Sequence, residues 1–377
     1  MSQPAQLPDP RSQKLYLLPG PFGLEGGGFL SDLTLSYETW GALNEAGDNG
    51  VFLCHALTGG PHVASHGPRD EPGWWEGLIG PGRALDPSRH FLICANIPGG
   101  CYGSTGPGSA DPETGEPYGA SFPVVTTRDA VRAFKALLDH LGVRRLALVL
   151  GGSLGAMLAW QWAVQYPDFV AAAVPIAGPF RATTWSIALN GVGRRAIELD
   201  PAWHQGRYEG NGPERGLALA RAIAMVSYRS EPLFEERFGR ERLDPAAQAR
   251  LSAFNPFQVE RYLGYQGEKL VRRFDARSYV ALTRTMDLHD ASAGFSSPEE
   301  AMAAIRAQVL VVGIDSDVLF APGALRTTAE GLRTLGVKAS YAELTSRFGH
   351  DAFLVETAAL DLMLAAFLGK GLSPCAS

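Results

Sequence analysis

The run Leu148-Val149-Leu150-Gly151-Gly152-Ser153-Leu154-Gly155-Ala156-Met157 constrains the fold more than any other part of the chain. An apolar strand enters a Gly-x-Ser-x-Gly turn and leaves as a helix, which is the sequence form of a nucleophile elbow. Glycines at 151 and 155 remove side chains where strand and helix must cross closely. Ser153 can then hold a strained backbone with its hydroxyl exposed, the arrangement of a serine that is acylated during turnover. The flanks agree with this. Arg145 to Leu150 is a short apolar run preceded by charge, as in a buried parallel strand. Met157, Trp160, Ala163 and Val164 fall at helical spacing before Tyr166-Pro167-Asp168 stops the helix.

Strands of the same kind recur along the chain. Residues 51–54, 90–95, 172–176 and 307–312 are nearly continuous apolar runs, suited to strands covered on both faces by helices. Residues 29–40 alternate apolar and polar, which predicts a half-solvated antiparallel strand or hairpin at a sheet edge. Between 178 and 298 strand signals fade, and 188–199, 216–228, 232–240, 256–274 and 278–288 read as helices. Beyond them come a strand at 307–312, a helix at 324–335, a strand at 339–344 and a closing helix at 357–367. The expected layout is an α/β core over 1–178 and 299–377 with a helical lid inserted at 179–298. Residues 99–119, dense in Gly, Pro, Ser and Asp, are expected to form a long loop.

Composition narrows the function. At 377 residues and 46% hydrophobic the chain can bury a large core. A formal net charge of −6, with no Lys/Arg cluster longer than a pair, argues against nucleic-acid or anionic-membrane partners. Met1 to Lys14 is polar and lacks the apolar core of a signal peptide, and no run of about 18 apolar residues follows. A cytoplasmic protein is expected. Cys54, Cys94, Cys101 and Cys375 are sparse and lack Cys-x-x-Cys spacing, against a disulfide framework or structural zinc, and Cys54 and Cys94 read as buried small hydrophobes.

A serine hydroxyl needs a base, and the base needs a group that fixes its tautomer. In α/β-hydrolases the acid and the histidine follow the serine, each in a loop after a later strand. Asp315 and Asp317 follow the strand at 307–312, and the pattern alone leaves both open. Of eight histidines, His350 is the one in the loop behind the last strand. Oxyanion donors are expected from the amide after the nucleophile, Leu154, and from the loop His55-Ala56-Leu57-Thr58-Gly59-Gly60. His55, His62 and His66 lie close in sequence, but without interleaved carboxylates they read as scattered loop histidines, and no metal site is expected.

At this point the chain resembles the homoserine O-acetyltransferases, an α/β-hydrolase-fold family of methionine biosynthesis. The resemblance rests on His55-Ala56-Leu57-Thr58-Gly59, the loop Asn96 to Pro107, the elbow, Ser316-Asp317-Val318-Leu319-Phe320 and Gly349-His350-Asp351-Ala352-Phe353-Leu354, and covers nearly the whole chain. It implies Ser153 as nucleophile, His350 as base and Asp317 as orienting carboxylate, with Asp315 a bystander. It also implies Arg221, Tyr228 and Asp351 as homoserine-binding residues. A guanidinium suits the substrate carboxylate and a carboxylate suits its ammonium. Arg221 and Tyr228, seven residues apart, would share a helix face.

The reaction so implied is ping-pong, with acetyl-CoA as co-substrate, no bound cofactor, and an oxyanion held by the Leu57 and Leu154 amides. A homodimer through the lid helices is implied as well. Leu154 and Ala156 depart from the family's usual methionine and glycine, and Gly191-Val192-Gly193 makes the first lid helix unusually glycine-rich. Succinyl-CoA as donor and serine as acceptor therefore stay open. The rival readings are an esterase using the same triad with water, and a non-catalytic protein of the same fold.

Overall fold

The computed structural model describes residues 12–210, 212–244 and 257–369. Met1 to Arg11, the helix start expected at Pro256, and Cys375 lie outside them. The strands are β1 (Lys14–Leu17), β2 (Phe22–Gly23), β3 (Phe29–Leu30), β4 (Thr34–Trp40), β5 (Gly50–Cys54), β6 (Phe91–Ala95), β7 (Leu146–Gly152), β8 (Ala172–Ile176), β9 (Gln308–Ile314) and β10 (Ala339–Leu344). Eight of them form one sheet in the order β1-β4-β6-β5-β7-β8-β9-β10, while β2 and β3 pair separately. Neighbours from β6 to β10 are parallel, and β4 meets β1 and β6 antiparallel.

The parallel strands β5 to β9 are nearly all apolar because both of their faces are covered, whereas the edge strand β10 carries Ser340 and Glu343 and is only partly buried. On one face pack α1 (Thr127–His140), α2 (Leu154–Gln165) and the later helix Pro322–Thr334; on the other pack Trp75, Leu78 and the closing helix Thr357–Gly369. Helix α2 is buried all round from Leu154 to Val164, as its uniformly apolar sequence requires. Between β8 and β9 the chain forms α3 (Thr184–Glu198), α4 (Glu214–Tyr228), α5 (Glu231–Phe238), α6 (Gln258–Val271), α7 (Ala276–Asp287) and α8 (Pro298–Ala303), with no named strand among the described residues. The five expected helices of this stretch all form, with ends moved by a few residues. After β9 come α9 (Pro322–Thr334), α10 (Ala352–Val355) and α11 (Thr357–Gly369). No single described helix is long and apolar enough to cross a membrane.

The expectation for residues 29–40 needs correction. Residues 29–30 do pair in a small hairpin with β2, but β4 is neither at the edge nor half-solvated. β1 covers its outer edge, and Ser36 and Glu38 are both buried. Their polarity is met internally: the Ser36 amide donates to Ser104 Oγ at 2.9 Å, and Glu38 receives two imidazoles. Alternation in sequence marked two chemically different buried faces instead of a wet one and a dry one.

Candidate active site

The elbow is built as its glycines require. Ser153 adopts φ 61°, ψ −120°, a left-handed strain that the turn between β7 and α2 imposes. A Cβ at Gly151 or Gly155 would run into the Cys54 carbonyl at the end of β5, so only glycine allows strand and helix this close. A Cβ at Gly152 would meet the Phe353 ring. That ring stands edge-on to the His350 imidazole, with centroids 5.7 Å apart, and so touches both the elbow and the histidine.

His350 lies in a single turn, Gly349–Asp351, behind β10. Gly349 has φ +67°, and any side chain there would press on the backbone of Arg229 and Ser230. The imidazole is buried, walled by Phe320, Phe353 and Tyr228. Its Nδ1 meets Asp317 Oδ2 at 2.7 Å. The other Asp317 oxygen accepts the amides of Leu319 at 2.8 Å and Phe320 at 3.0 Å, which leaves Oδ2 for the histidine. His350 Nε2, on the opposite side of the ring, is buried without a partner among the described residues. Burial opposes charging of this imidazole. The Asp317 carboxylate, through its charge and hydrogen bond, outweighs burial and with the charge of Asp351 raises the pKa above the ordinary 6.5. Asp315 instead accepts the Ser346 amide at 2.9 Å, a loop-bracing carboxylate, so geometry separates the two aspartates that spacing left together.

The loop holding Leu57 is fixed from below. His55 donates from Nδ1 to the Ala56 carbonyl at 2.8 Å and accepts the Ile97 amide on Nε2 at 3.0 Å. Burial lowers its pKa to about 4, so it is a neutral brace tying this loop to the Asn96–Pro107 loop. From above, Arg273 donates to the Thr58 carbonyl and to Tyr102 Oη, each at 2.7 Å. Arg273 had no signal in the sequence beyond its charge. Leu154 is the first residue of α2, and both Leu154 and Leu57 are buried.

Arg221 and Tyr228 share one face of α4, with the guanidinium 5.4 Å from the ring centroid. The Tyr228 ring is 5.6 Å from that of His350, which brings the helical segment to the His350–Asp317 pair. Arg221 is half-buried and has no carboxylate partner among the described residues. Asp351 has one: Arg229 Nη2 lies 3.2 Å from its Oδ2, a pairing that sequence reasoning missed because Arg229 follows directly on the end of α4.

The expectation of scattered histidines holds for His55 and fails for the other two. His62 Nδ1 and His66 Nε2 both converge on Glu38 Oε2, at 3.0 and 2.8 Å. The carboxylate was not interleaved with them in sequence because it comes from β4. Cys54 and Cys94 are buried and reduced, as expected, with their thiol pKa values raised by burial.

A family model described as alpha/beta hydrolase fold matches residues 50–357, and fold and site together define an enzyme of that class. A curated homoserine O-acetyltransferase of Symbiobacterium thermophilum is 51% identical over 351 residues, 92% of each chain. The crystal structure of a homoserine O-acetyltransferase from Bacillus anthracis superposes with a TM-score of 0.89 at 29% identity, covering 98% of this chain and 99% of that one. Esterase E22 superposes with a TM-score of 0.86 at 27% identity, covering 94% and 99%. The chain belongs to the homoserine O-acetyltransferase family.

Proposed function

We propose that the protein transfers an acetyl group from acetyl-CoA to the hydroxyl of L-homoserine, in methionine biosynthesis, through an acyl-Ser153 intermediate. His350 Nε2 takes the Ser153 proton as Oγ attacks the thioester carbonyl, and the Leu57 and Leu154 amides hold the oxyanion. Collapse breaks the C–S bond, and His350 protonates the departing thiolate. In the second half, the homoserine hydroxyl gives its proton to His350 and attacks the acyl-serine. His350 then returns the proton to Ser153. Asp317 keeps the accepting nitrogen on the Ser153 side throughout. The reaction so written uses no bound cofactor.

The observation that favours transfer over hydrolysis is Arg221. A half-buried guanidinium stacked on Tyr228, beside His350 and without a carboxylate partner among the described residues, is useless to a generic esterase and suits an α-carboxylate. Asp351 would receive the ammonium in exchange for Arg229. Residues 179–298 act in this reading as a lid that positions homoserine and excludes water. Support for a homodimer through these helices comes from exposed apolar residues at seven-residue spacing, Trp185 and Val192 on α3 and Leu219 and Val226 on α4. A cytoplasmic location accords with this substrate set.

The test is thiol release from acetyl-CoA with L-homoserine as acceptor, set against succinyl-CoA and L-serine. Arg221→Ala is expected to lower kcat/KM for homoserine by about 10- to 150-fold, the worth of about 1.5–3 kcal/mol of charge-assisted hydrogen bonding. Hydrolysis of p-nitrophenyl acetate should persist. Equal loss of both activities would reject the clamp.

A further inference from the structure

Away from the triad, three groups that can ligate a metal meet on the sheet face that carries Trp40. Glu38 projects from β4, and His62 and His66 come from the segment that continues the Leu57 loop. Their donor atoms lie within 4.8 Å of one another, and both imidazoles aim at the same oxygen of a fully buried carboxylate. From this geometry we infer that Glu38, His62 and His66 form a binding site for one divalent transition-metal ion of the zinc class, which no step of the proposed reaction uses.

Four observations support it. The spacing His62-Val63-Ala64-Ser65-His66 falls within the interval common in pairs of zinc-ligating histidines, and two imidazoles with one carboxylate are a borderline-soft donor set. Each ring is already oriented. His62 donates its remaining Nε2–H to the Glu71 carbonyl at 2.7 Å, the backing bond that ligating histidines make. The His66 ring stacks on Trp40 with centroids 4.8 Å apart and 9° between planes. Finally, an entry path exists, because the His66 side chain keeps 25% exposure while Glu38 has 1%.

A zinc ion bonded at about 2.0–2.1 Å holds its ligand atoms about 3.4 Å apart, within reach of these side chains by small rotations. The fourth position would be taken by water. Without the ion, the same atoms are joined by hydrogen bonds: His62 carries protons on both nitrogens, and His66 donates Nε2–H to the shared oxygen. Binding must therefore displace the two imidazole hydrogens that now point at Glu38 Oε2, so that the ion competes with protons for the site. The consequence is mechanical. β4 would be clamped to the segment that carries the Leu57 amide.

The test uses the full chain, stripped with chelator, incubated with zinc sulfate and desalted, with metal content measured by mass spectrometry. Cobalt(II) serves as a spectroscopic probe. One equivalent of zinc retained, with tetrahedral cobalt absorption, is expected for the wild type and for His204→Asn, which alters an exposed imidazole elsewhere. His66→Asn should weaken affinity at least tenfold, and Glu38→Gln should do the same. If Glu38→Gln fails to fold, the partly exposed His66→Asn decides alone. No retained zinc in the wild type, or retention unchanged in His66→Asn, would show that the cluster is only a hydrogen-bonded brace and overturn the inference.

Discussion

Asp317→Asn is the substitution whose outcome the structure determines most sharply. Asp317 Oδ1 accepts two backbone amides, from Leu319 and Phe320, and both donors stay in place whatever the side chain. An asparagine must present its carbonyl oxygen to them, because turning its NH2 that way would leave two buried amides facing donors, at about 1–3 kcal/mol each. The NH2 therefore points at His350 Nδ1, across the contact now measured at 2.7 Å. Nδ1 must then be the acceptor and the proton must sit on Nε2. In that tautomer Nε2, the nitrogen to which the proposed reaction assigns the base role, cannot take the Ser153 proton. Loss of the base in its working form costs on the order of 10⁴-fold in a serine triad, about 5.5 kcal/mol of barrier. The assay is the pre-steady-state burst of thiol from acetyl-CoA, which isolates acylation. Asp317→Ala is the control: it removes the charge but lets His350 keep either tautomer, so it should be no slower than Asp317→Asn. An Asp317→Asn burst within tenfold of wild type would refute the tautomer argument, as would Asp317→Ala falling well below it.

The pH profile of acylation should show its acidic limb above pH 6.5. His350 must be neutral to act as base, and a raised pKa keeps it protonated to higher pH, so the rate climbs as pH rises through that value. Asp351→Asn removes one of the charges that raise it and should move the limb to lower pH in p-nitrophenyl acetate hydrolysis. Trp75→Phe should destabilise the protein by about 1–3 kcal/mol in urea unfolding, because Trp75 Nε1 donates to the Phe353 carbonyl at 2.8 Å and the substitution leaves that buried oxygen unpaired. Val192→Asp combined with Val226→Asp should turn a dimer into a monomer in light scattering while the circular dichroism spectrum stays unchanged; a mass unaffected by both would place any interface elsewhere.

Local chemistry made much of this protein legible in sequence. Strands buried on both faces read as continuous apolar runs, and glycines at 151 and 155 read as a close crossing, because each reports a constraint carried by neighbouring residues. The same holds for the helices between β8 and β9, whose periodicity is local. Roles that depend on a partner distant in the chain did not read this way. Spacing left Asp315 and Asp317 together until the fold set one against His350 and the other against Ser346. Arg229 was only a charge until a turn more than a hundred residues later brought Asp351 to it. Glu38 showed as one polar position in an alternating strand, and packing buried it beneath two histidines. The sequence by itself determined the elements and the strained turn at Ser153, since backbone sterics and apolar periodicity act over a few residues. Only the tertiary structure decided which charges are paired, because a buried charge takes its character from groups that the chain brings beside it on folding.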